Sequence, residues 1–168
     1  MRTPLSLASL CLLALAPACG STPATRADAP AGDDDQATVL GTTLGLSRAD
    51  VKARFPAALE RAGALTAPVR WGLARAADGA LAATATFAFD ADALAQIDVG
   101  FSAPYASMDV CAGDWRTLRA RIDAALGPSS SDNLAAYWSE GGRDVELACN
   151  PSDAEAHLSL VVTRHREP

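Results

Sequence analysis

The sequence predicts an α+β fold, an antiparallel β-sheet packed by two helices and arranged as two tandem helix-plus-three-strand units. Three observations predict it. Two stretches, 47–59 and 114–126, carry apolar residues at helical spacing. Each is followed by segments in which apolar and polar residues alternate between turn dipeptides. The interval from Ser47 to Trp71 equals that from Asp114 to Trp138, so a helix start and a strand tryptophan recur at one period. Chance similarity between so few anchors is the alternative.

The first helix opens at Ser47, which can cap it, with Asp50 three residues on as the acidic partner of a capping box. Leu46 and Val51 stand where a hydrophobic staple would form, and Val51, Phe55 and Leu59 share one face. Pro56 removes a backbone donor and disfavours helical geometry at Phe55, so the helix ends or bends there. Val69 to Leu73 alternates as a strand, Asp78-Gly79 is a hairpin signal, and Leu81 to Phe89 alternates again. In that run Ala83, Ala85, Phe87 and Phe89 fall on one face, with Thr84 and Thr86 on the other. After Asp90-Ala-Asp92 the chain returns with Ile97, Val99 and Phe101 opposite Asp98. The second helix is expected from about Asp114 to Leu126, with Trp115, Leu118, Ile122 and Ala125 as its apolar stripe and Gly127-Pro128 as its stop. Three strands follow: Leu134 to Trp138, Val145 to Cys149 beyond a Gly141-Gly142 turn, and Leu158 to Val162.

With 168 residues the chain holds one domain, or two small units sharing a core. Half of it is hydrophobic (49%), but much of that is alanine, which buries little area, so the few large apolar side chains must carry the core. The net charge of -6, a single lysine (Lys52) and scattered arginines argue against binding a nucleic-acid backbone.

The first eighteen residues read as a signal peptide: Arg2, an apolar run from Leu5 to Ala16, then Pro17-Ala18. The run is too short to span a bilayer, which takes about 20 apolar residues. Leu15-Ala16-Pro17-Ala18-Cys19 resembles the bacterial lipoprotein box, in which the cysteine is acylated and becomes the first mature residue. Ala18 fits that pattern, whereas Ala16 and Pro17 depart from it. The resemblance implies a palmitate-bearing Cys19, attachment to a membrane, and a place in the cell envelope. Gly20 after the cysteine resembles an outer-membrane sorting context facing the periplasm. A secreted protein cut near Ala18 is the alternative. Residues 19–38, rich in Pro, Ala, Thr and Asp, are expected as a flexible tether, leaving 39–168 as a single α+β domain with units at about 39–102 and 110–165. Asp33, Asp34 and Asp35 lack calcium-loop spacing and read as part of the solvated linker.

Of the four cysteines, Cys11 lies in the signal and Cys19 would carry lipid. Cys111 and Cys149 remain as an even pair in an oxidising compartment, which predicts one structural disulfide. Neither sits in a Cys-x-x-Cys motif or at ligand spacing from His157 or His165, so no metal is expected.

The phrase from Gly41 to Val51 (Gly-Thr-Thr-Leu-Gly-Leu-Ser-Arg-Ala-Asp-Val) resembles the helix-opening phrase of small outer-membrane lipoproteins of the SmpA/OmlA type. Leu126-Gly127-Pro128 resembles the phrase that closes such a helix. Two helix-plus-meander units in tandem are also similar to the beta-lactamase inhibitor protein fold. These resemblances cover a couple of dozen residues, imply a fold, and bring no binding residue with them.

Enzyme motifs are missing from the sequence: it has no Gly-x-Ser-x-Gly elbow, Walker loop, dinucleotide fingerprint or His-Glu-x-x-His, and no cofactor is expected. His157 beside Asp153 or Glu155 is the best general-base arrangement available, and Asp90, Asp92 and Asp98 the best carboxylate group. A solvated histidine and turn aspartates are the plainer readings. Aromatic residues point to binding instead. Trp71, Trp115 and Trp138 are expected in the core; Tyr137, beside Trp138 on a strand, must face the other way. Tyr105 and Met108 fall in an expected surface loop between the units, and with Tyr137 form the candidate binding set. The expectation is a non-catalytic binding or scaffold module tied to a membrane, whose partner is an envelope protein or a peptidoglycan-associated component. A periplasmic enzyme inhibitor or small-ligand sensor is the second expectation, and a hydrolase the third.

Overall fold

The computed structural model describes residues 33–72, 80–102, 104–152 and 155–165. The Ser47 cap is formed: the Asp50 N–H donates to Ser47 Oγ at 3.2 Å, and the Ser47 N–H donates back to Asp50 Oδ2 at 3.3 Å. It opens α2 (Arg48–Arg54), which stops at Phe55, the residue before Pro56. Three short-linked strands and a stub follow: β1 (Leu59–Arg61), β2 (Ala64–Gly72), β3 (Ala80–Asp90) and β4 (Ala93–Phe101). Asp78-Gly79, the expected hairpin, lies outside the described residues. The second half repeats the plan with α3 (Met108–Leu126), the stub β5 (Ser130–Asp132), and β6 (Ala135–Glu140), β7 (Arg143–Ser152) and β8 (Glu155–Arg164).

The eight strands form one antiparallel sheet in the order β1-β2-β3-β4-β8-β7-β6-β5. The second unit thus runs outward from the centre in mirror order to the first. The lead-in to each helix also bridges the last strand of its own unit, Ser47 to Ala93 and Tyr105 to Ala156. The fold is α+β, built of two helix-plus-meander units.

The inner face follows the predicted alternation. Leu65, Ala67, Val69 and Trp71 of β2, Ala83, Ala85 and Phe87 of β3, and Ile97, Val99 and Phe101 of β4 are buried, as are Leu158, Leu160 and Val162 of β8. A register shift between Ala88 and Phe89 leaves Phe89 half-buried, where Arg48 lies 4.3 Å over its ring. Phe55 of the α2 end packs on Phe87 with ring centroids 4.6 Å apart, and Trp71 meets Phe101 edge-on at 5.6 Å. At the Gly141-Gly142 turn both φ values are positive (59° and 76°), the geometry that closes a two-residue hairpin with the twist of its strands.

Two expectations are corrected. The second helix starts at Met108, six residues before Asp114, because Ser107 is its cap, with the Val110 N–H on Ser107 Oγ. Met108, Cys111, Trp115, Leu118 and Ile122 then form one continuous stripe toward the core. Asp114 is buried inside the helix and accepts the Tyr105 hydroxyl at 2.9 Å, so it is not the counterpart of Ser47. The equal Ser47–Trp71 and Asp114–Trp138 intervals are therefore coincidental, although the architecture they suggested is present. The second correction concerns the tether. Residues 33–38, expected within it, belong to a third helix, α1 (Asp33–Leu40). Val39 and Leu40 are buried, and Asp35 accepts the Arg70 backbone N–H at 2.7 Å on the edge of β2 beyond the reach of β1. An acidic run is stable there because one carboxylate supplies the acceptor that an edge strand lacks.

Three joints lock α3 to the sheet. Cys111 and Cys149 form the expected disulfide, Cα–Cα 6.2 Å, from the first turns of α3 to β7. One helix turn further, the Trp115 indole N–H donates to the Leu147 carbonyl at 3.1 Å. At the far end the Trp138 indole of β6 donates to Asp123 Oδ1 at 3.0 Å and to the Gly127 carbonyl at 3.1 Å. Partial burial would raise the Asp123 carboxyl. The Ser129 backbone N–H and hydroxyl, the Trp138 indole and the Arg119 guanidinium outweigh that and hold it below its ordinary 3.8.

The joints are expected to be unequal. Replacing both Cys111 and Cys149 by Ala opens a 38-residue loop and should lower unfolding free energy by about 4 kcal/mol at most. Ser107→Ala, which removes one weak cap bond, should cost about 1 kcal/mol. Urea unfolding of the three chains, with unchanged slope for Ser107→Ala, measures the difference.

Candidate functional site

Every helix whose packing is described lies on the inner side of the sheet, so the outer face is left to polar and small side chains. Its residues are in register across six strands. One row runs Thr66, Thr86, Asp98, Val161, Glu146, Tyr137 from β2 to β6. The adjacent row runs Pro68, Thr84, Gly100, Ser159, Ala148, Ala135 and carries no large side chain. Six strands at about 4.8 Å spacing make the face roughly 24 Å wide. A shallow floor of small residues thus lies beside a ridge that ends in an aromatic ring.

The ridge is deepest at the β6–β7–β8 end. A depression of about 420 Å³ is lined there by Tyr137, Ser139, Asp144, Glu146, Val161, Thr163 and His165, among others. Tyr137 is 42% exposed, a large value for an aromatic ring on a strand. Its cross-strand neighbour is Glu146, and Val161 lies beyond that as a half-buried apolar floor. The site can take an apolar or aromatic group on Tyr137 and Val161, and a cation beside Glu146.

At the rim, Ser139, Asp144 and His165 are joined. The Ser139 hydroxyl donates to Asp144 Oδ1 at 2.6 Å, and His165 Nδ1 lies 2.9 Å from the same oxygen. These are the residue types of a hydrolytic triad in the wrong order. Nucleophilic activation needs histidine between serine and carboxylate, and here the carboxylate stands between the other two. Its chemistry is that of a hydrogen-bonded clasp. The Ser139 hydroxyl first, then His165 through its hydrogen bond and charge, hold the Asp144 carboxyl below its ordinary 3.8, against a smaller opposing effect of desolvation.

The candidate residues from the sequence are divided by the sheet. Tyr137 is on the outer face. Tyr105, expected in a surface loop, is 2% exposed: its hydroxyl is spent on Asp114 and its backbone is bridged to Ala156. Met108 opens α3 and packs, half-buried, against the core. Both therefore belong to the inner side and do not meet Tyr137. Cys19 and Asp153 lie outside the described residues. His157 is exposed on the outer face opposite Asn150, and Glu155 is exposed at the start of the same strand. Asp90 and Asp92 are exposed at the β3–β4 turn, apart from Asp98 on the sheet face. Among the described residues no group of three or more His, Cys, Asp or Glu is placed to hold a metal ion, and no helix is long and apolar enough to cross a membrane.

The clasp went unread in the sequence, yet a signal for it exists. A two-residue turn at Gly141-Gly142 pairs Glu140 with Arg143 and therefore Ser139 with Asp144. Comparison of the chain with family models, with characterised proteins and with solved structures finds no match.

The lowered Asp144 value carries a sign. A carboxyl whose folded pKa lies below its unfolded one adds stability above the unfolded value, and that contribution is lost as pH falls through the folded pKa. The Asp144 resonance in a carboxyl NMR titration should have its midpoint below 3.8, and Ser139→Ala should move it upward. An unmoved midpoint in the variant would remove Ser139 as the principal cause.

Proposed function

We propose that the protein is an exported, lipid-anchored envelope module that binds another envelope protein through the outer face of its sheet, without catalysis. The observation that carries the reading is that face: it is uncovered by the helices whose packing is described, continuous across six strands, and rimmed by the exposed Tyr137 beside Glu146 and Val161. Tyrosine covers area at low entropy cost and is favoured at interfaces. The small-residue row beside it lets a partner backbone or side chain approach the strands closely. The acidic Asp98 and Glu146 favour a partner segment carrying Lys or Arg next to an apolar group.

Export and anchoring are supported by the N-terminal sequence: the basic start, the short apolar run, and Cys19 after Ala18. Several acyl chains on one residue hold a protein firmly at a bilayer. The disulfide between Cys111 and Cys149 agrees with an oxidising compartment. For the absence of catalysis, the support is the order of the Ser139–Asp144–His165 clasp and the exposed strand position of His157.

The test is site-specific photo-crosslinking in cells that make the full chain. A crosslinker at 137 or 161 should capture one discrete envelope protein, and a crosslinker at the exposed Arg116 of α3 should not. Tyr137→Ala combined with Val161→Glu should cut recovery at least tenfold while the melting temperature stays within a few degrees. Cys19→Ser should lose palmitate labelling and leave the membrane fraction. Equal capture from all three positions would defeat the face assignment, and membrane retention of the Cys19→Ser chain would defeat the anchor.

A further inference from the structure

The outer face has a shape that selects one kind of partner. Its row of small residues lies between two taller rows, each two residues away along the strands. On one side is the ridge of Thr66, Asp98, Val161 and Tyr137, and on the other are Arg70, Ala82, His157 and Asn150. At about 3.3 Å per residue the two flanking rows stand about 13 Å apart. An α-helix with its side chains is about 10–12 Å across. The trough therefore has the width of one helix, lying across the strands. The ridge beside it also reaches further than β2. Leu59 of the edge strand β1 is in register with Thr66, so it heads the same row, and it is 63% exposed. Among the described residues the exposed large apolar side chains are Leu59, Val110 and Tyr137, and two of these three begin and end this one row. The six strand spacings from β1 to β6 put them about 29 Å apart along the sheet.

We propose that the partner lays a single amphipathic α-helix of about five turns in this trough, with apolar side chains at Leu59 and Tyr137 and basic ones at Asp98 and Glu146 between them. The inference rests on the outer-face reading above and narrows it to one kind of segment. Backbone chemistry favours a helix over an extended chain. The N–H and C=O groups of interior strands are paired within the plane of the sheet, so a segment crossing the face meets side chains only. A helix satisfies its own backbone there, and an extended chain does not. The charge of the partner follows from the ridge. Asp98 accepts the Gln96 amide at 2.8 Å through Oδ1, which leaves Oδ2 to face a cation. Glu146 is exposed two strands further on, and Asp132 of β5 stands at the end of the trough, in register with Ala135. Lys or Arg on one side of the partner helix answers these carboxylates. The same carboxylates oppose the face of a second copy as its cover.

Benzoylphenylalanine, a photo-crosslinker, placed at 59 or at 137 of the full chain in cells tests the assignment, with the labelled sites on the captured protein read by peptide mass spectrometry. Both positions should label one envelope protein, at sites about 19 residues apart in a single apolar and basic stretch, because a helix rises 1.5 Å per residue. An extended segment crossing the same distance would place the sites about nine residues apart. Gly100→Phe fills the middle of the trough. The φ of Gly100 is not positive and an added Cβ meets nothing within 4 Å, so the melting temperature should hold within a few degrees while labelling from both positions falls at least tenfold. The helix assignment is overturned if the sites lie about nine residues apart or on separate segments, if 59 stays silent while 137 captures, or if Gly100→Phe leaves labelling unchanged. Each of those results leaves the outer-face reading standing. No discrete capture from 137, or labelling of this chain itself, defeats both.

Discussion

The pairing of β4 with β8 is the contact on which both faces of the molecule depend. Five residue pairs, from Gln96 with Thr163 to Gly100 with Ser159, join the units. Each unit on its own is a meander with one apolar face and a helix, too small to remove enough surface from water to offset chain ordering. Pairing through the seam makes one core of two halves, because Ile97 and Val99 then stand beside Val162 and Leu160 on the same side. Side chains alternate strictly along strands, so the same register also decides what points outward. A slip by one residue would bury Asp98 and expose Val99.

The two halves reach burial by different means. α3 has 19 residues and is fixed by a disulfide and by the hydrogen bonds of two indoles. α2 has only seven. α1 makes up the difference: it comes from the chain before the first unit, puts Val39 and Leu40 into the core, and caps the free edge of β2 through Asp35. The alanine content takes on a purpose in this setting. Ala67, Ala83 and Ala85 form a thin part of the inner face, and Phe55, Phe87, Trp71 and Phe101 supply the volume above and beside it. The first half remains the less satisfied one. Among the described residues the Trp71 indole N–H has no hydrogen-bond partner, whereas those of Trp115 and Trp138 do.

Much of this was legible in the residues themselves. The capping box at Ser47, the alternation from Ala83 to Phe87, the stop at Gly127-Pro128 and the Cys111–Cys149 pair are all local or near-local signals, and the structure realises them. The misread positions share a different property: tertiary partners decided them. Asp114 has the composition of a helix cap, but a tyrosine nine residues earlier takes its carboxylate into the interior. Tyr105 and Met108 sit in a run that looks like a loop by its Ser and Pro content, and the bridge to Ala156 draws that run inward. Three consecutive aspartates read as solvated chain until one of them meets an edge N–H 35 residues away. Of the candidate binding residues only Tyr137 is on the outer face, because its exposure follows from strand alternation beside a buried Trp138 and needs no distant information.

What the fold leaves available follows from what it consumes. The inner face of the sheet is filled, the thiols of the folded part are joined, and two of its three indoles are hydrogen-bonded inside. On the reading proposed above, recognition falls where side chains converge on the surface. The outer face meets that condition through breadth, with Tyr137, Val161 and Glu146 in one row and small residues beside them. A broad row of this kind suits a macromolecule, which can spread many weak contacts across strands.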